Sequence, residues 1–361
     1  MKYDVGMYGG SFDPLHIGHI HDIIRAASMC KKLYIVISWC EGRESTSKEL
    51  RYRWINDSCR HLSNIELILI EDEAVDKEDY NTDYYWEKGA EDIKRAIAKP
   101  IDAVFCGTDY LGTNRFESLY SPESDVVYFD RNEVPVSSTD IRKWVFDNWD
   151  YIPKVCRPYY TKKVLIVGGE STGKSTLVRN LALAYNTNYV EEVGRDICGF
   201  AGNEELMIME DFNEILLRHK VKEMDAIKES NKILFVDTDS ITTMFYSKFL
   251  LTKEEEIAKC NLLADAITNI NMFDLIIFLE PTVDFVQDGT RSEIIEADRE
   301  KYSNQIKELL DIHSFRYHCI SGDYVERFNG AKKLIEEHLG LIETKFAIDD
   351  YQRISNWYIK D

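Results

Sequence analysis

The run Gly168-Gly169-Glu170-Ser171-Thr172-Gly173-Lys174-Ser175 restricts this chain more than any other feature. The strand-length apolar run Lys163-Val164-Leu165-Ile166-Val167 precedes it. Thr176-Leu177-Val178-Arg179-Asn180-Leu181-Ala182-Leu183-Ala184 follows with helical character. Strand, glycine loop, Gly-Lys-Ser and helix together form the context in which such a loop cradles a polyphosphate. Glycines let backbone N–H groups turn inward, and the helix N-terminus adds partial positive charge. In this pattern Lys174 reaches the β- and γ-phosphates, and Ser175 is a Mg²⁺ ligand. Gly168, Gly169, Glu170, Ser171, Thr172, Gly173, Ser175 and Thr176 are therefore expected around ATP.

A chain of 361 residues has two domains as its natural prior. The first half alternates strand-like runs (Tyr3 to Tyr8, Leu33 to Ser38, Ile65 to Ile70, Ile101 to Cys106, Asp125 to Phe129) with helical ones (His19 to Lys31, Glu49 to Leu62, Tyr84 to Lys99, Ser138 to Asn148). The second half repeats the style, with strands at Lys232 to Asp237, Phe273 to Leu279 and Tyr317 to Ile320. Alternation of this kind predicts an α/β fold: two parallel-sheet, three-layer domains with ligands at the carboxyl ends of the strands. Pro153 and Pro158 punctuate a lapse in the pattern. The expected division is 1–152, a linker 153–162, and 163–361.

With 44 Lys and Arg against 64 Asp and Glu, the formal charge is −20. That argues against duplex DNA and anionic membranes as partners, and leaves small nucleotides and nucleosides open. Homo-oligomerisation is compatible with everything read here. The eight cysteines are scattered without a Cys-x-x-Cys pair, so neither a zinc nor a redox motif is signalled. No run reaches membrane-span length and no signal peptide is visible, which reads as a cytoplasmic protein.

After the first strand comes Gly9-Gly10-Ser11-Phe12-Asp13-Pro14-Leu15-His16-Ile17-Gly18-His19. Its glycines permit close approach to a phosphate. His16 and His19, three apart, face one way on a helical turn and can donate to phosphate oxygens. Downstream lies Val136-Ser137-Ser138-Thr139-Asp140-Ile141-Arg142, with Ser138 the expected helix N-cap. The two segments together resemble the nucleotidylyltransferase superfamily, with Val136 where the family has Ile. That resemblance implies a Rossmann-like fold and attack of an acceptor phosphate on the α-phosphorus of ATP, with pyrophosphate leaving. It further implies that His16 and His19 hold the triphosphate, with His19 nearest the reacting phosphorus. Gly9, Gly10, Ser11, Phe12, Ser137, Ser138 and Thr139 would line ATP, and Arg142 would stabilise pyrophosphate. Gly107-Thr108-Asp109-Tyr110 would lie by the adenosine, through Gly107 and Asp109. An aromatic face suits a flat cationic ring. Of Trp39, Trp54 and Trp86, the last is the candidate for stacking on nicotinamide.

In the second half, Val236 delivers Asp237-Thr238-Asp239 at a strand end. One carboxylate there can orient Mg²⁺ or accept the proton of an attacking hydroxyl, and the other can bind substrate hydroxyls. Asp237 takes the first role here and Asp239 the second. Arg195, in Glu191-Glu192-Val193-Gly194-Arg195, is a candidate substrate contact. Arg291 and Arg299, in and beyond Asp288-Gly289-Thr290-Arg291, suit a lid over ATP, and Asp288 is a further substrate candidate.

Over residues 1–330 the combination resembles the bifunctional nicotinamide mononucleotide adenylyltransferase/ribosylnicotinamide kinase family. It lacks an aromatic beside Arg195 and a Trp near Phe285. The resemblance implies two Mg²⁺- and ATP-dependent steps. The second domain phosphorylates ribosylnicotinamide, and the first joins the product to AMP to give NAD. The chain starts at the first catalytic strand, so the helix-turn-helix domain carried by some members is expected to be absent. Two rivals remain: an adenylyltransferase/kinase fusion of coenzyme A synthesis, and a non-catalytic NAD- or ATP-sensing regulator.

Overall fold

The computed structural model describes residues 1–76, 78–79, 82–287 and 291–344. These form two compact units, Met1–Tyr160 and Thr161 onward.

The first unit runs β1 (Tyr3–Gly10), α1 (Ile17–Met29), β2 (Cys30–Trp39), α2 (Lys48–Cys59), β3 (Ile65–Glu71), α3 (Asp83–Ile97), β4 (Ala103–Gly107), α4 (Arg115–Tyr120), β5 (Asp125–Phe129), α5 (Ser138–Lys143) and α6 (Arg157–Tyr160). Its five strands are parallel in the order β3-β2-β1-β4-β5. The two-residue strand period divides β2 between two cores. Leu33, Ile35 and Ile37 pack with Ile23, Trp54 and Phe105 on one face, while Tyr34 and Val36 pack with Met7, Ala90, Ile97 and Val104 on the other. A sheet buried on both faces is what continuous apolar strands require. Chain order reverses between β1 and β4, the kind of point at which open parallel sheets bind ligands beyond the strand ends.

The stretch expected as a linker contributes to this unit. Cys156 is fully buried in the first core, and Tyr159 meets Trp54 edge-on at 5.7 Å. The apolar residues between the two prolines give α6 a surface to bury. The helix expected from Ser138 to Asn148 ends at Lys143. Trp144 leaves the helical region at φ −137°, and the Asn148 side chain donates to the Trp144 carbonyl at 2.9 Å.

The second unit runs β6 (Lys162–Gly168), α7 (Lys174–Ala184), β7 (Tyr189–Val190), α8 (Gly194–Ala201), α9 (Met209–Ala226), β8 (Ile233–Asp237), α10 (Ser240–Leu250), α11 (Glu254–Ile270), β9 (Leu275–Leu279), α12 (Glu293–Ala297), α13 (Arg299–Ile312), β10 (His318–Ile320) and α14 (Tyr324–Leu339). All five strands are parallel, ordered β10-β9-β6-β8-β7. Leu165, Val167, Leu234, Val236, Ile276 and Phe278 form one core with α9, α10 and α11. Every residue of β8 and β9 is buried. The central β6 therefore delivers the glycine loop at a point flanked by two buried strands. Among the described residues no helix is long and apolar enough to cross a membrane, and all eight cysteines are free thiols.

Candidate active sites

In the first unit the ends of β1, β4 and β5 converge. His16 caps α1: its Nδ1 accepts from the His19 N–H at 3.3 Å. That acceptor role leaves the ring proton on Nε2, a donor. The two imidazoles stack with centroids 3.6 Å apart, and Phe12 meets His19 edge-on at 5.0 Å. His16 Nε2 and His19 Nδ1 are buried without a hydrogen-bond partner. Burial, and then the Arg131 guanidinium, push His16 down to about 3. Burial, His16 and Arg131 hold His19 well below the usual imidazole range. Two neutral rings with unsatisfied polar atoms form a site that an anion would complete.

The flanking loops are fastened through Asp13. Its carboxylate accepts from Ser45 N, Thr46 N and the hydroxyls of both residues, at 2.6 to 3.0 Å. Arg142 donates to the Asp13 carbonyl and to Thr139 Oγ1, and lies 3.5 Å from the Asp13 carboxylate. The α5 N-cap is Ser137, one residue before the expected Ser138, because Ser137 and Asp140 form a reciprocal capping box. Ser138 instead donates to the Pro14 carbonyl at 2.9 Å, tying α5 to the histidine loop. Gly9 and Gly10 end β1, Ser11 is exposed beside them, and Phe12 is 1% exposed, so its ring belongs to the core. Gly107 ends β4, and Asp109 accepts from Arg131 at 3.2 Å. Arg131 carries no sequence signature, and only the adjacency of β4 and β5 brings it to the histidines. Buried Arg51 donates to the carbonyls of Ser11 and Ser38, supporting the same loop from below. Trp86 lies edge-on to Tyr110 and Phe116, both at 5.7 Å, with Arg115 over its ring. Trp54 is core at 3% exposure, and Lys48 sits over Trp39.

In the second unit the glycine loop is compact. Gly168 has φ +153°, and a Cβ there would stand 2.7 Å from the Leu279 carbonyl. Gly173, at φ +82°, turns the chain into α7 where a Cβ would strike the Tyr324 ring. Lys174 is 8% exposed and donates to the Gly169 carbonyl at 2.9 Å, as does Thr172 Oγ1. Arg327, 1% exposed, holds the loop from behind. It donates to the carbonyls of Thr172, Gly322 and Glu280 and to Thr282 Oγ1. Nothing in the sequence around Arg327 marks it.

A cavity of about 240 Å³ opens beside the loop, lined by Lys174, Ser175 and Thr176 at one side and by Met207, Phe212, Ile215, Tyr246 and Leu250 elsewhere. Arg195 and Arg291 both line it. Asp237, 1% exposed, lies beside Ser175, and its Oδ1 has no hydrogen-bond partner. Burial and neighbouring Glu192, opposed by Lys174, raise it to about 6. Asp239 lies elsewhere. Thr238 adopts φ +64°, and Asp239 caps α10 and lines a separate recess of about 10 Å³ with His219, Lys220 and Glu223. The strand-end turn thus sends the two carboxylates to different places. Burial raises Asp239 to about 7.

The two arginines expected in a lid bind the glycine loop: Arg291 donates to Ser171 Oγ at 2.8 Å, and Arg299 to the Ser171 carbonyl at 3.2 Å. Phe285 lies under both guanidinium groups, at 5.9 and 5.4 Å, where a Trp was expected nearby. Asp288 lies outside the described residues. Among the described residues no cluster of three or more His, Cys, Asp or Glu side chains forms a metal cage. Ser175 with the orphan oxygen of Asp237 nevertheless suits a cation that takes its other ligands from phosphates and water.

Residues 7–144 match the cytidylyltransferase-like family, and residues 163–327 match an AAA domain family. The chain is 30% identical over 353 residues to the trifunctional NAD biosynthesis/regulator protein NadR of Escherichia coli (strain K12), covering 94% of this chain and 84% of that protein. Its first unit alone is 30% identical over 143 residues to the phosphopantetheine adenylyltransferase of Mycoplasma mycoides subsp. mycoides, covering 39% of this chain and 95% of that protein. A crystal structure of NadR protein in complex with NR shares the fold at a TM-score of 0.79, with 22% identity, over 96% of this chain and 99% of that one.

Proposed function

This chain belongs to the family of the NadR NAD biosynthesis proteins, and from that membership we propose that its two units catalyse successive ATP-dependent steps. The second unit transfers the γ-phosphoryl group of ATP to the 5′-hydroxyl of ribosylnicotinamide. The first transfers AMP from a second ATP to the resulting mononucleotide, releasing pyrophosphate and forming NAD. The observation that carries the reading is one chain with a glycine loop at a strand end in each unit, matched along 94% of its length by one NadR relative. The phosphopantetheine enzyme accounts for the first unit only. A sensor without turnover has no use for the orphan carboxylate oxygen of Asp237 beside Ser175.

In the kinase unit, Lys174 exchanges the Gly169 carbonyl for β- and γ-phosphate oxygens. The glycine-loop N–H groups and Thr176 hold the rest of the polyphosphate. Asp237, raised toward neutrality, is suited to take the proton of the attacking hydroxyl. Mg²⁺, held by Ser175 and Asp237, would neutralise phosphate charge. Arg291 and Arg299 carry the lid onto the loop through Ser171. Arg195 and Asp288 are substrate contacts in this reading, and Asp239 acts at one remove by capping α10.

In the adenylyltransferase unit no covalent intermediate is needed. Catalysis is placement plus neutralisation of charge on the leaving group. His16 Nε2–H and His19 donate to the triphosphate. Arg142 and Thr139, with Ser137 and Ser138 fixing α5, take up pyrophosphate. Gly9, Gly10, Ser11 and the Phe12 backbone line the nucleotide, with Gly107 and Asp109 at the adenosine and Trp86 against the nicotinamide. Incubating the protein with ribosylnicotinamide and Mg-ATP, and identifying products by mass, tests the reading. Mononucleotide and then NAD are expected. Phosphorylation without NAD, or NAD from neither precursor, contradicts it.

A further inference from the structure

The kinase cavity has an unusual balance of charge for a site that must also hold ATP. Glu170, Glu192 and Glu204 all line it, with Lys174, Arg179, Arg195 and Arg291 as its cations. Arg179 is turned to exposed Glu191 at 2.8 Å, and Arg291 to Ser171. Glu170 accepts from the Tyr246 hydroxyl at 3.0 Å and from Ser292 N at 3.0 Å, both neutral donors. Among the described residues none of the three carboxylates forms an ion pair. They share one place: Glu170, Glu192 and Glu204 line the same cavity as half-buried Tyr246, whose hydroxyl donates to Glu170. A second observation points to a ligand there. Thr242, one helical turn before Tyr246 on α10, is 3% exposed, lines the same cavity and has a hydroxyl without a partner. An aromatic ring, a free hydroxyl and carboxylates held in no ion pair complement a flat ring that carries positive charge and a polar substituent.

We propose that Glu204, backed by Glu170 and Glu192, makes this cavity selective for an N-ribosylated pyridinium cation over uncharged or anionic ring analogues, with Thr242 meeting the ring's amide. The proposal rests on the kinase reading above and goes beyond it by assigning the discrimination to ring charge. Glu204 is the residue to change, because it lies outside the glycine loop and is only half-buried.

The test compares ribosylnicotinamide with its 1,4-dihydro form, which keeps the shape and loses the charge, in the full-length protein and in Glu204→Gln, following ADP. The wild type is expected to favour the cation at least tenfold in kcat/KM. Glu204→Gln is expected to lose about tenfold with the cation and less than twofold with the dihydro form, with KM for ATP unchanged. A carboxylate that served structure alone would lower both equally. Raising salt from low to moderate ionic strength in the wild type gives a second measure, independent of folding of the variant: KM should rise for the cation and stay constant for the dihydro form. Equal kcat/KM for the two nucleosides in the wild type, or an unchanged ratio in Glu204→Gln, overturns the proposal while leaving the kinase reading intact. Absence of ADP formation with both nucleosides overturns the kinase reading, and the proposal with it.

Discussion

Arg327→Met should loosen the glycine loop without touching any group that meets substrate. The guanidinium makes four hydrogen bonds, to the carbonyls of Thr172, Gly322 and Glu280 and to Thr282 Oγ1. Charge-assisted bonds contribute about 1.5–3 kcal/mol each, and every buried carbonyl left unpaired costs about 1–3 kcal/mol. Against this, a buried guanidinium carries a desolvation penalty of several kcal/mol, and among the described residues no carboxylate pairs with it. The balance is a local loss of about 2–4 kcal/mol, since Met fills most of the volume and relieves the buried charge. Hydrogen exchange in the full-length protein, read on peptides covering 172–180 and 322–330, measures it directly. Protection of the first turn of α7 should fall between about thirtyfold and a thousandfold. KM for ATP in ADP formation should rise, and adenylyl transfer should keep its wild-type rate. Exchange altered by less than about threefold would refute the claim that Arg327 fastens the loop.

Three further outcomes follow. His16 has a folded pKa of about 3, below the unfolded value near 6.5, so its neutral form favours the folded state. That contribution is complete above pH 6.5 and falls as pH drops toward 3, at about 1.4 kcal/mol per pH unit. His16→Asn keeps an N-cap acceptor and removes the titration, so its stability should depend on pH less steeply by about one proton between pH 6 and 4. Tryptophan fluorescence reports chiefly this unit, because five of the six tryptophans, Trp39, Trp54, Trp86, Trp144 and Trp149, belong to it. Asp237→Asn should lower ADP formation by about a hundredfold or more and leave NAD formation from the mononucleotide unchanged, as separate assays of the two steps would record. A polyphosphate in the first site should raise the His16 and His19 pKa values, visible by NMR as an upward shift of imidazole titration on adding ATP.

Most of the architecture was legible because buried parallel strands announce themselves as continuous apolar runs, and both phosphate loops carry their chemistry within a few consecutive residues. What escaped depends on contacts between distant segments. Arg131 and Arg327 act only because particular strands are neighbours, and neither sits in a recognisable local pattern. Asp13 reads as part of the histidine string, yet its carboxylate binds Ser45 and Thr46 more than thirty residues on. The shift of the α5 cap from Ser138 to Ser137 turns on which of two adjacent hydroxyls reaches the helix and which reaches Pro14. Asp237 and Asp239 look equivalent in sequence. The positive φ of Thr238 separates them, leaving Asp237 beside Ser175 and Asp239 in the smaller recess. The proline-flanked stretch before β6 reads as a linker because its punctuation outweighs Cys156, whose burial is a tertiary fact.

The most direct measurement is a crossed assay of two variants, Lys174→Ala and His19→Ala. Ribosylnicotinamide or its mononucleotide is supplied with Mg-ATP, and ADP, pyrophosphate and NAD are followed separately. Two independent cradles predict that Lys174→Ala abolishes ADP formation and spares NAD and pyrophosphate formation from the mononucleotide, and that His19→Ala does the reverse. Loss of both conversions in either variant would contradict two separate sites.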